Sequence, residues 1–226
     1  MKLAVVILVA AAGLLASAAN AGTTECHGIQ TCIHVPGPWV LVPPNGNAEF
    51  LLSCPRGRSV VAGVDAQATS REVHVWFDAR IGAPVSPGVS TTTYALFRAV
   101  STSPRNQVFQ PRLGCVPLQG GGGRSTVSAT VITPTGLPLE LRSRIVIIGP
   151  GELKFAKVSC HANEKLVDSW QATAFRVKQP PTLGAGNLVH VTRTTAGRRV
   201  VVTATATDGL SIDVHAIVQV GAVCAP

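Results

Sequence analysis

The chain has 226 residues, of which 46% are hydrophobic and 13% are charged, and its 19 basic and 11 acidic residues give a formal net charge of +8. Only 4% of the residues are aromatic, too few for the stacking platforms that bind single-stranded nucleic acid, which argues against a nucleic-acid partner. Beyond residue 21, no stretch is long and apolar enough to span a bilayer, so we expect no transmembrane segment there.

The first 21 residues have the pattern of a secretory signal peptide. Lys2 supplies a short basic region, residues 3–15 are apolar and uncharged, and Ala19-Asn20-Ala21 is a small-x-small cleavage site. We therefore expect cleavage after Ala21 and a secreted, extracellular mature protein. The residue after the cleavage would be Gly22. A bacterial lipoprotein would need a cysteine there.

All six cysteines follow the predicted cleavage site, and an even number of cysteines in an exported chain predicts disulfides. A Ser-Cys and a later Cys-x-Pro occur twice, with cysteine separations of 61 and 64 residues. This repeated spacing predicts the bridges Cys54–Cys115 and Cys160–Cys224, and it leaves Cys26–Cys32 as a local loop. No C-x-x-C pair or C-x-x-H spacing indicates a metal site, so we predict neither a metal nor another cofactor.

The two cysteine spacings divide the mature chain into similar halves. Residues 22–118 and 125–226 are each of the size of one antiparallel β-sandwich, and the intervening residues 119–124 include four consecutive glycines, as in a flexible linker. The pattern predicts an all-β protein of two tandem sandwiches, each closed by an internal disulfide. The alternative is a single larger β fold in which the two halves share a core.

Alternating apolar and polar residues predict strands in both halves, because successive side chains of a strand point to opposite faces. The residues that share a face with a bridge cysteine are apolar: Phe50 and Leu52 with Cys54, Phe109 and Leu113 with Cys115, and Ala156 and Val158 with Cys160. We therefore expect these cysteines to project into a core between two opposed sheets, where an inter-sheet bridge has to lie.

The last 30 residues give the most regular alternation. Residues 210–224 place apolar side chains on one face and His215 and Gln219 on the other, and residues 199–207 also alternate. Asp208-Gly209 lies between these stretches, and an Asp-Gly pair in that position is typical of a type I′ turn. The pattern predicts a hairpin of two paired strands.

The spacing of a cysteine pair that bridges two sheets resembles that of immunoglobulin domains, which implies an immunoglobulin-like architecture for each half. Trp76 and Trp170 follow Cys54 and Cys160 at unequal distances, and no tyrosine stands two residues before the second cysteine of either pair. The resemblance therefore concerns architecture alone, and it carries no functional residues over to this chain.

The excess of basic residues lies mainly in the second half. After removal of the signal peptide, residues 22–119 include seven basic and five acidic residues, which gives +2. Residues 120–226 include 11 basic and six acidic residues, which gives +5. We therefore expect a polyanionic partner to contact the second half. The alternative is that the charge serves only to keep the protein dispersed in water.

Four arginines of the second half form the predicted anion-binding site. Arg142 and Arg144 point the same way from one strand, and Arg198 and Arg199 begin another. Guanidinium groups bind phosphate and carboxylate through paired hydrogen bonds, so these residues predict contact with an anionic polymer of the cell envelope. Another extracellular protein is the alternative partner, and scattered cations on a solvated face are the alternative interpretation.

No catalytic motif stands out in the sequence. The G-x-S-x-G motif of serine hydrolases is absent, and Glu72 and Asp78 would be about 20 Å apart on an extended strand, too far for glycoside hydrolysis. We therefore predict a secreted, non-catalytic structural or interaction module. The alternative is a small secreted hydrolase whose site does not show in the sequence.

Overall fold

The structure is a computed structural model that describes residues 26, 32–55, 59–78, 93–117 and 139–226. The predicted signal peptide, residues 1–21, and the predicted linker, residues 119–124, lie outside the described residues.

Thirteen strands and one short 3₁₀ helix make up the regular structure of the described residues. They are β1 (Ile33–Pro36), β2 (Trp39–Val42), β3 (Asn47–Ser53), β4 (Ser59–Ala68), β5 (Val73–Asp78), β6 (Tyr94–Ser101), β7 (Gln107–Pro117), β8 (Glu140–Ile148), β9 (Leu153–Ser159), β10 (Lys165–Arg176), the 3₁₀ helix (Leu183–Leu188), β11 (Val189–Ala196), β12 (Arg199–Ala206) and β13 (His215–Ala225). All the strand pairs are antiparallel, so the all-β prediction is confirmed.

One large central sheet runs through both halves of the chain. β7 pairs with β4 along one edge, and along its other edge it pairs with β1 and β2 in succession. β2 also pairs with β10, through Val40 opposite Ala174 and Trp39 opposite Phe175. β10 pairs with β13, and β13 pairs with β8. The central sheet therefore ends in β4 on one side and in β8 on the other.

Two small sheets lie on opposite faces of β10 and β13. The first small sheet has the strand order β3-β6-β5, and the second has the order β11-β12-β9. Ile217 of β13 packs in the same core as Phe50 of the first small sheet, whereas its neighbours Ala216 and Val218 pack with Val202 of the second. Because neighbouring residues of a strand point to opposite faces, the two small sheets cover different sides of this region.

The antiparallel pairing of β2 with β10 explains this arrangement. In the first half β7 lies between β4 and β2, and in the second half β13 lies between β10 and β8, so both halves have the same order across the sheet. The direction of the chain reverses where β2 meets β10. The second half is therefore turned over relative to the first: its strands have the same order but run the other way, and the two faces of its sheet are exchanged. This is why the second small sheet lies on the opposite side.

A β-bulge occurs at the same place in both halves. The ladder between β4 and β7 shifts after Val61, which lies opposite Cys115. The ladder between β10 and β13 shifts after Leu166, which lies opposite Cys224. The similarity that the sequence predicts between the two halves therefore has a counterpart in their strand order and in this irregularity.

The two long disulfides that the repeated spacing predicts are confirmed. Cys54–Cys115 connects the end of β3 to β7, and Cys160–Cys224 connects the end of β9 to β13, so each of these bridges ties a small sheet to the central sheet. The sulfurs of Cys54 and Cys115 lie in the core under the first small sheet, the first core, and those of Cys160 and Cys224 lie in the core under the second small sheet, the second core, as the alternation of their neighbours predicts. Cys26–Cys32 is the third bridge.

The prediction of two separate immunoglobulin-like domains is not confirmed. The central sheet passes from one half into the other through β2 and β10. In addition, Ala172, Ala174 and Ile217 of the second half pack in one core with Phe50 and Phe97 of the first. The two halves therefore share a sheet and part of a core.

The predicted C-terminal hairpin is wrong. β12 pairs with β9 and β11, and β13 pairs with β8 and β10, so the two strands belong to different sheets. Residues 207–214 connect the sheets, and Ile212 is 80% exposed there. The apolar row of β12, which includes Val200 and Val202, faces that of β13 across the second core. Apolar side chains that face each other from two sheets are buried in the core between them. In a hairpin the same side chains would lie next to each other on one face of a single sheet.

Candidate binding surfaces

The side chain of Arg142 is held by two carboxylates. Its Nη1 lies 2.5 Å from Oε2 of Glu164, and its Nη2 lies 2.9 Å from Oε1 of Glu164 and 2.5 Å from Oε2 of Glu140. Only 15% of the Arg142 side chain is exposed. This charge is therefore already matched within the protein, and the contact ties β8 to the segment between β9 and β10.

The environment of Glu164 favours its charged form. The hydrogen bonds from Arg142 lower the pKa of Glu164 to about 2, and the backbone N–H of His161, 2.7 Å from Oε2, acts in the same direction. Glu164 also lies beside the Cys160–Cys224 bridge, since Arg142 Nη1 is 3.7 Å from Cys224 Sγ. The carboxylate therefore stabilises the fold at the edge of the second core.

We expect Glu164→Gln to lower the melting temperature by a few degrees at pH 7 and to leave it nearly unchanged at pH 2. The folded pKa of Glu164 lies below its ordinary value of 4.5, so its contribution is complete above pH 4.5 and is lost as the pH falls to about 2. Thermal unfolding followed by circular dichroism from pH 7 to pH 2 measures this. Asp213→Asn is the control. An equal difference from wild type at both pH values would contradict the assignment.

The structure brings three of the four predicted anion-binding arginines around one segment, residues 159–164. Arg142 Nη1 lies 3.4 Å from the carbonyl oxygen of Ser159, and Arg198 donates a hydrogen bond to the carbonyl of Ala162. Arg199 lies opposite Ser159 in the ladder between β12 and β9. Arg144 is exposed on β8. Within the described ranges Arg144, Arg198 and Arg199 have no carboxylate partner.

The outer face of the second small sheet carries cationic, apolar and hydroxyl groups together. Its side chains are Leu153, Phe155, Lys157 and Ser159 of β9, Arg199, Val201, Thr203 and Thr205 of β12, and His190, Thr192 and Thr194 of β11. Phe155 is 63% exposed and Leu153 is 53% exposed, so two large apolar side chains lie next to each other on this face. None of these residues is acidic. The face therefore has an unbalanced positive charge.

Sequence reasoning did not identify Lys157 and Phe155 as surface residues of interest. Each of the two faces of β9 carries both apolar and polar residues, so the strand lacks a clear polar face. Cys160 could have identified them. Ala156 and Val158 lie on the same side of the strand as this core cysteine, so Phe155 and Lys157 must lie on the outer side.

A cleft of about 820 Å³ lies where the two halves meet. Its apolar lining includes Phe50, Leu52, Ile145 and Ile217, and its polar lining includes Gln110, Gln219, Arg176 and Lys178. Among the described residues that line this cleft, none is His, Cys, Asp or Glu. The cleft therefore offers apolar contact and the positive charge of Arg176 and Lys178.

Gln219 joins the two halves beneath this cleft. Its Oε1 accepts hydrogen bonds from the backbone N–H of Leu51 at 2.7 Å and from Nε1 of Trp170 at 3.2 Å, and its Nε2 donates to the Leu51 carbonyl at 2.9 Å. The side-chain amide thus pairs with the edge of β3 as a neighbouring strand would. The Trp170 ring lies so close to Gly221 that a Cβ at Gly221 would come within 2.0 Å of it.

The sequence-based placement of Gln219 on a solvent face is wrong. Gln219 is fully buried, because the first small sheet covers the face of β13 that the alternation assigned to water. Its neighbours on that face, Ile217 and Val223, are apolar and pack against the first half. A strand that is covered on both faces does not show the alternation of a half-buried strand.

A smaller, polar pocket of about 440 Å³ brings together charged groups from both halves. It is lined by Glu49 and Asn47 from the first half and by Asp168, Gln171 and Arg193 from the second. Burial raises the pKa of Glu49, although the nearby guanidinium of Arg98 opposes this effect. Arg98 Nε lies 3.4 Å from Glu49 Oε1.

The only metal-like cluster within the described residues consists of Cys160, Glu164 and Cys224, whose potential ligand atoms lie within 4.8 Å of one another. Both sulfurs belong to a disulfide, and a metal needs thiolates. This cluster is therefore not a metal site in the oxidised protein.

The helical content of the described residues includes no segment with the length and hydrophobicity to cross a bilayer. No protein family, no curated protein and no solved structure matches this chain.

Proposed function

We propose that this chain is a secreted, non-catalytic binding module that attaches to an anionic polymer of the cell envelope through the outer face of the second small sheet. The observation that carries this proposal is the position of Lys157 on the outer face of β9, between the exposed ring of Phe155 and Ser159, which lies opposite Arg199, on a face without a carboxylate. Arg198, which lies next to this face, adds a further positive charge.

The physical basis is the sum of several weak attractions. A single exposed charge pair contributes little, but unbalanced cations on one face act together on a polymer that presents many anions. Such contacts are screened over about 10 Å at 0.1 M salt, so binding should depend strongly on ionic strength. The Phe155 ring and the threonine hydroxyls of β11 and β12 supply apolar contact and hydrogen bonds to the backbone of the polymer.

The distribution of polar groups favours binding over the alternative, a secreted hydrolase. Among the described residues, Glu49 and Asp168 in the polar pocket are the best candidates for such an enzyme, because a carboxyl group with a raised pKa beside a second carboxylate is typical of glycosidases. Glu49, however, faces Arg98 in an ion pair, and Asp168 Oδ1 accepts the N–H of Ser169 at 2.7 Å. These contacts account for both carboxylates as parts of the fold.

We expect the double variant Lys157→Ser and Arg199→Ser to elute from a dextran sulfate resin at a clearly lower salt concentration than wild type. A plot of log affinity against log salt concentration has a negative slope. Each of the two removed cations should reduce the magnitude of this slope by somewhat less than one, as for other polyelectrolytes. Salt-gradient elution and binding isotherms at several salt concentrations measure both quantities.

The matched control replaces two exposed lysines elsewhere in the second half, Lys165→Ser and Lys178→Ser, so that net charge falls by the same amount. This control should keep most of the wild-type retention. Equal losses in the two double variants would mean that net charge alone governs retention, and the proposed face would be rejected. Glu49→Gln should leave retention unchanged.

A further inference from the structure

The cleft at the junction of the two halves carries positive charge at one end and apolar side chains further along. Arg176, the last residue of β10, lies opposite His215 at the start of β13. Ile217 follows two residues later, and Ile145 of β8 lies opposite Gln219, two residues further still. Because directly opposite residues share a face of the sheet, the cleft runs along β13 for about 13 Å from its cationic end to Ile145.

The floor and one wall of the cleft are apolar. Phe50 and Ile217 lie at its bottom, and each is only 1% exposed. Leu52 and Val177 are partly exposed in its lining, and Ile145 is 46% exposed. An apolar chain that lies in the cleft would therefore remove the exposed surface of Ile145 from water and would pack against side chains of the first core.

Arg176 and Lys178 supply positive charge that the protein itself does not match. Both side chains line the cleft and are exposed. The structure describes every acidic residue of the chain except Glu25, and none of those described forms an ion pair with either cation. An anion at this end of the cleft thus competes with none of the described carboxylates.

Both walls of the cleft are held in place by hydrogen bonds. On one side, Gln219 fixes β3 through the backbone N–H and C=O of Leu51. On the other side, the N–H of Gly37 donates to the carbonyl of Pro111 at 2.7 Å, and Nε2 of Gln110 donates to the Gly37 carbonyl at 3.0 Å. Because these walls are formed in advance, binding in the cleft costs little ordering of the protein.

We propose that the cleft binds a free fatty acid of medium chain length, with its carboxylate against Arg176 and Lys178 and its acyl chain along Ile217 toward Ile145. Guanidinium and ammonium groups bind a carboxylate through charge-assisted hydrogen bonds. The volume of about 820 Å³ is within the usual range of small-molecule sites. A single cationic end beside a single apolar floor suits one acyl chain with one acidic head group.

This site is separate from the outer face of the second small sheet. None of the described residues that line the cleft belongs to β9, β11 or β12. The proposal of a fatty-acid site therefore does not depend on the proposed binding to an anionic polymer.

Calorimetric titration of the whole protein with decanoate, below its micelle concentration, tests the proposal. Wild type should bind decanoate saturably, with one molecule per chain, and decanol should bind at least about tenfold more weakly, because it lacks the carboxylate. The absence of saturable decanoate binding would overturn the proposal and would mean that the cleft is closed or already filled in solution. Equal affinities for the acid and the alcohol would overturn the role of the two cations.

The double variant Arg176→Ser and Lys178→Ser should weaken decanoate binding by at least about tenfold. The matched control is Lys157→Ser with Arg199→Ser, which removes the same two charges from the outer face and should bind decanoate as wild type does. Circular dichroism verifies that both variants are folded. Equal weakening in the two double variants would overturn the site, whereas retention on dextran sulfate tests the polymer proposal alone.

A second pair of variants tests the apolar part of the site. Ile145→Asn should weaken decanoate binding by about fivefold, because the acyl chain loses apolar contact. Ile147→Asn is the matched control: Ile147 lies two residues further along β8, is 51% exposed and does not line the cleft. This control should bind with nearly the wild-type affinity. An equal effect of the two substitutions would contradict the proposed position of the acyl chain.

Discussion

Replacing Gln219 by leucine should lower the free energy of unfolding by about 3–5 kcal/mol. The substitution keeps a similar volume but leaves three buried groups without partners, namely the N–H and C=O of Leu51 and the Nε1–H of Trp170. Each unpaired buried group costs about 1–3 kcal/mol, and repacking around the cleft can relieve part of this. Urea unfolding, followed by circular dichroism and by tryptophan fluorescence, measures the change.

Gln171→Leu provides a matched control on the neighbouring strand. Gln171 Oε1 is buried without a hydrogen-bond partner among the described residues, so removing it should cost little or should stabilise the protein. The two substitutions are chemically identical and lie on adjacent strands. A loss for Gln219→Leu no larger than that for Gln171→Leu would show that the contact with Leu51 contributes little to stability.

Removing the Cys54–Cys115 bridge by substituting both cysteines with alanine should cost about 4 kcal/mol. The bridge closes a loop with a sequence separation of 61 residues, and the entropy that it removes from the unfolded chain grows with loop length. Both cysteines are also buried, so alanine leaves small voids in the first core. Urea unfolding at neutral pH without reductant measures the loss.

The Cys26–Cys32 bridge is the natural comparison, because its separation is only six residues. Its double alanine variant should lose about 2 kcal/mol, roughly half the effect of the long bridge. The Cys160–Cys224 variant should resemble the Cys54–Cys115 variant, since its separation is 64 residues. Equal losses from the short bridge and the long bridges would exclude loop length as the dominant factor.

The sequence correctly predicted those features of the fold that depend on a single residue type. Cysteine spacing predicted the two long bridges, and the parity of each bridge cysteine predicted which face of its strand is buried. These inferences depend only on the alternation of side chains along one strand. They do not require knowledge of which strands are neighbours.

Strand partners could not be predicted in the same way. Asp208-Gly209 correctly marks a reversal of the chain, but a reversal can lead to a neighbouring strand or to the opposite sheet. The choice depends on what else covers each strand, and here β9 and β11 already flank β12. For the same reason, nothing in the sequence indicated that Gln219 would be buried or that Gly221 would be needed beneath Trp170.

The candidate surfaces were predicted only in part. The sequence located the positive charge in the second half, and three of the four arginines do lie around residues 159–164. It could not show that Arg142 is neutralised, because Glu164 is 22 positions away in the chain. It also could not distinguish the exposed Phe155 from a core residue, because an apolar side chain on a short strand can be either buried or exposed.

Because the two halves share a sheet, we expect that neither half folds when it is expressed alone. Ala172, Ala174 and Ile217 complete a core that otherwise belongs to the first half, so neither half contains all the parts it needs. In this respect the halves resemble the subunits of an obligate dimer, which have no stable existence apart. A gene fragment that encodes only one of them would leave large apolar surfaces bare, so we expect the two halves to unfold together as one cooperative unit.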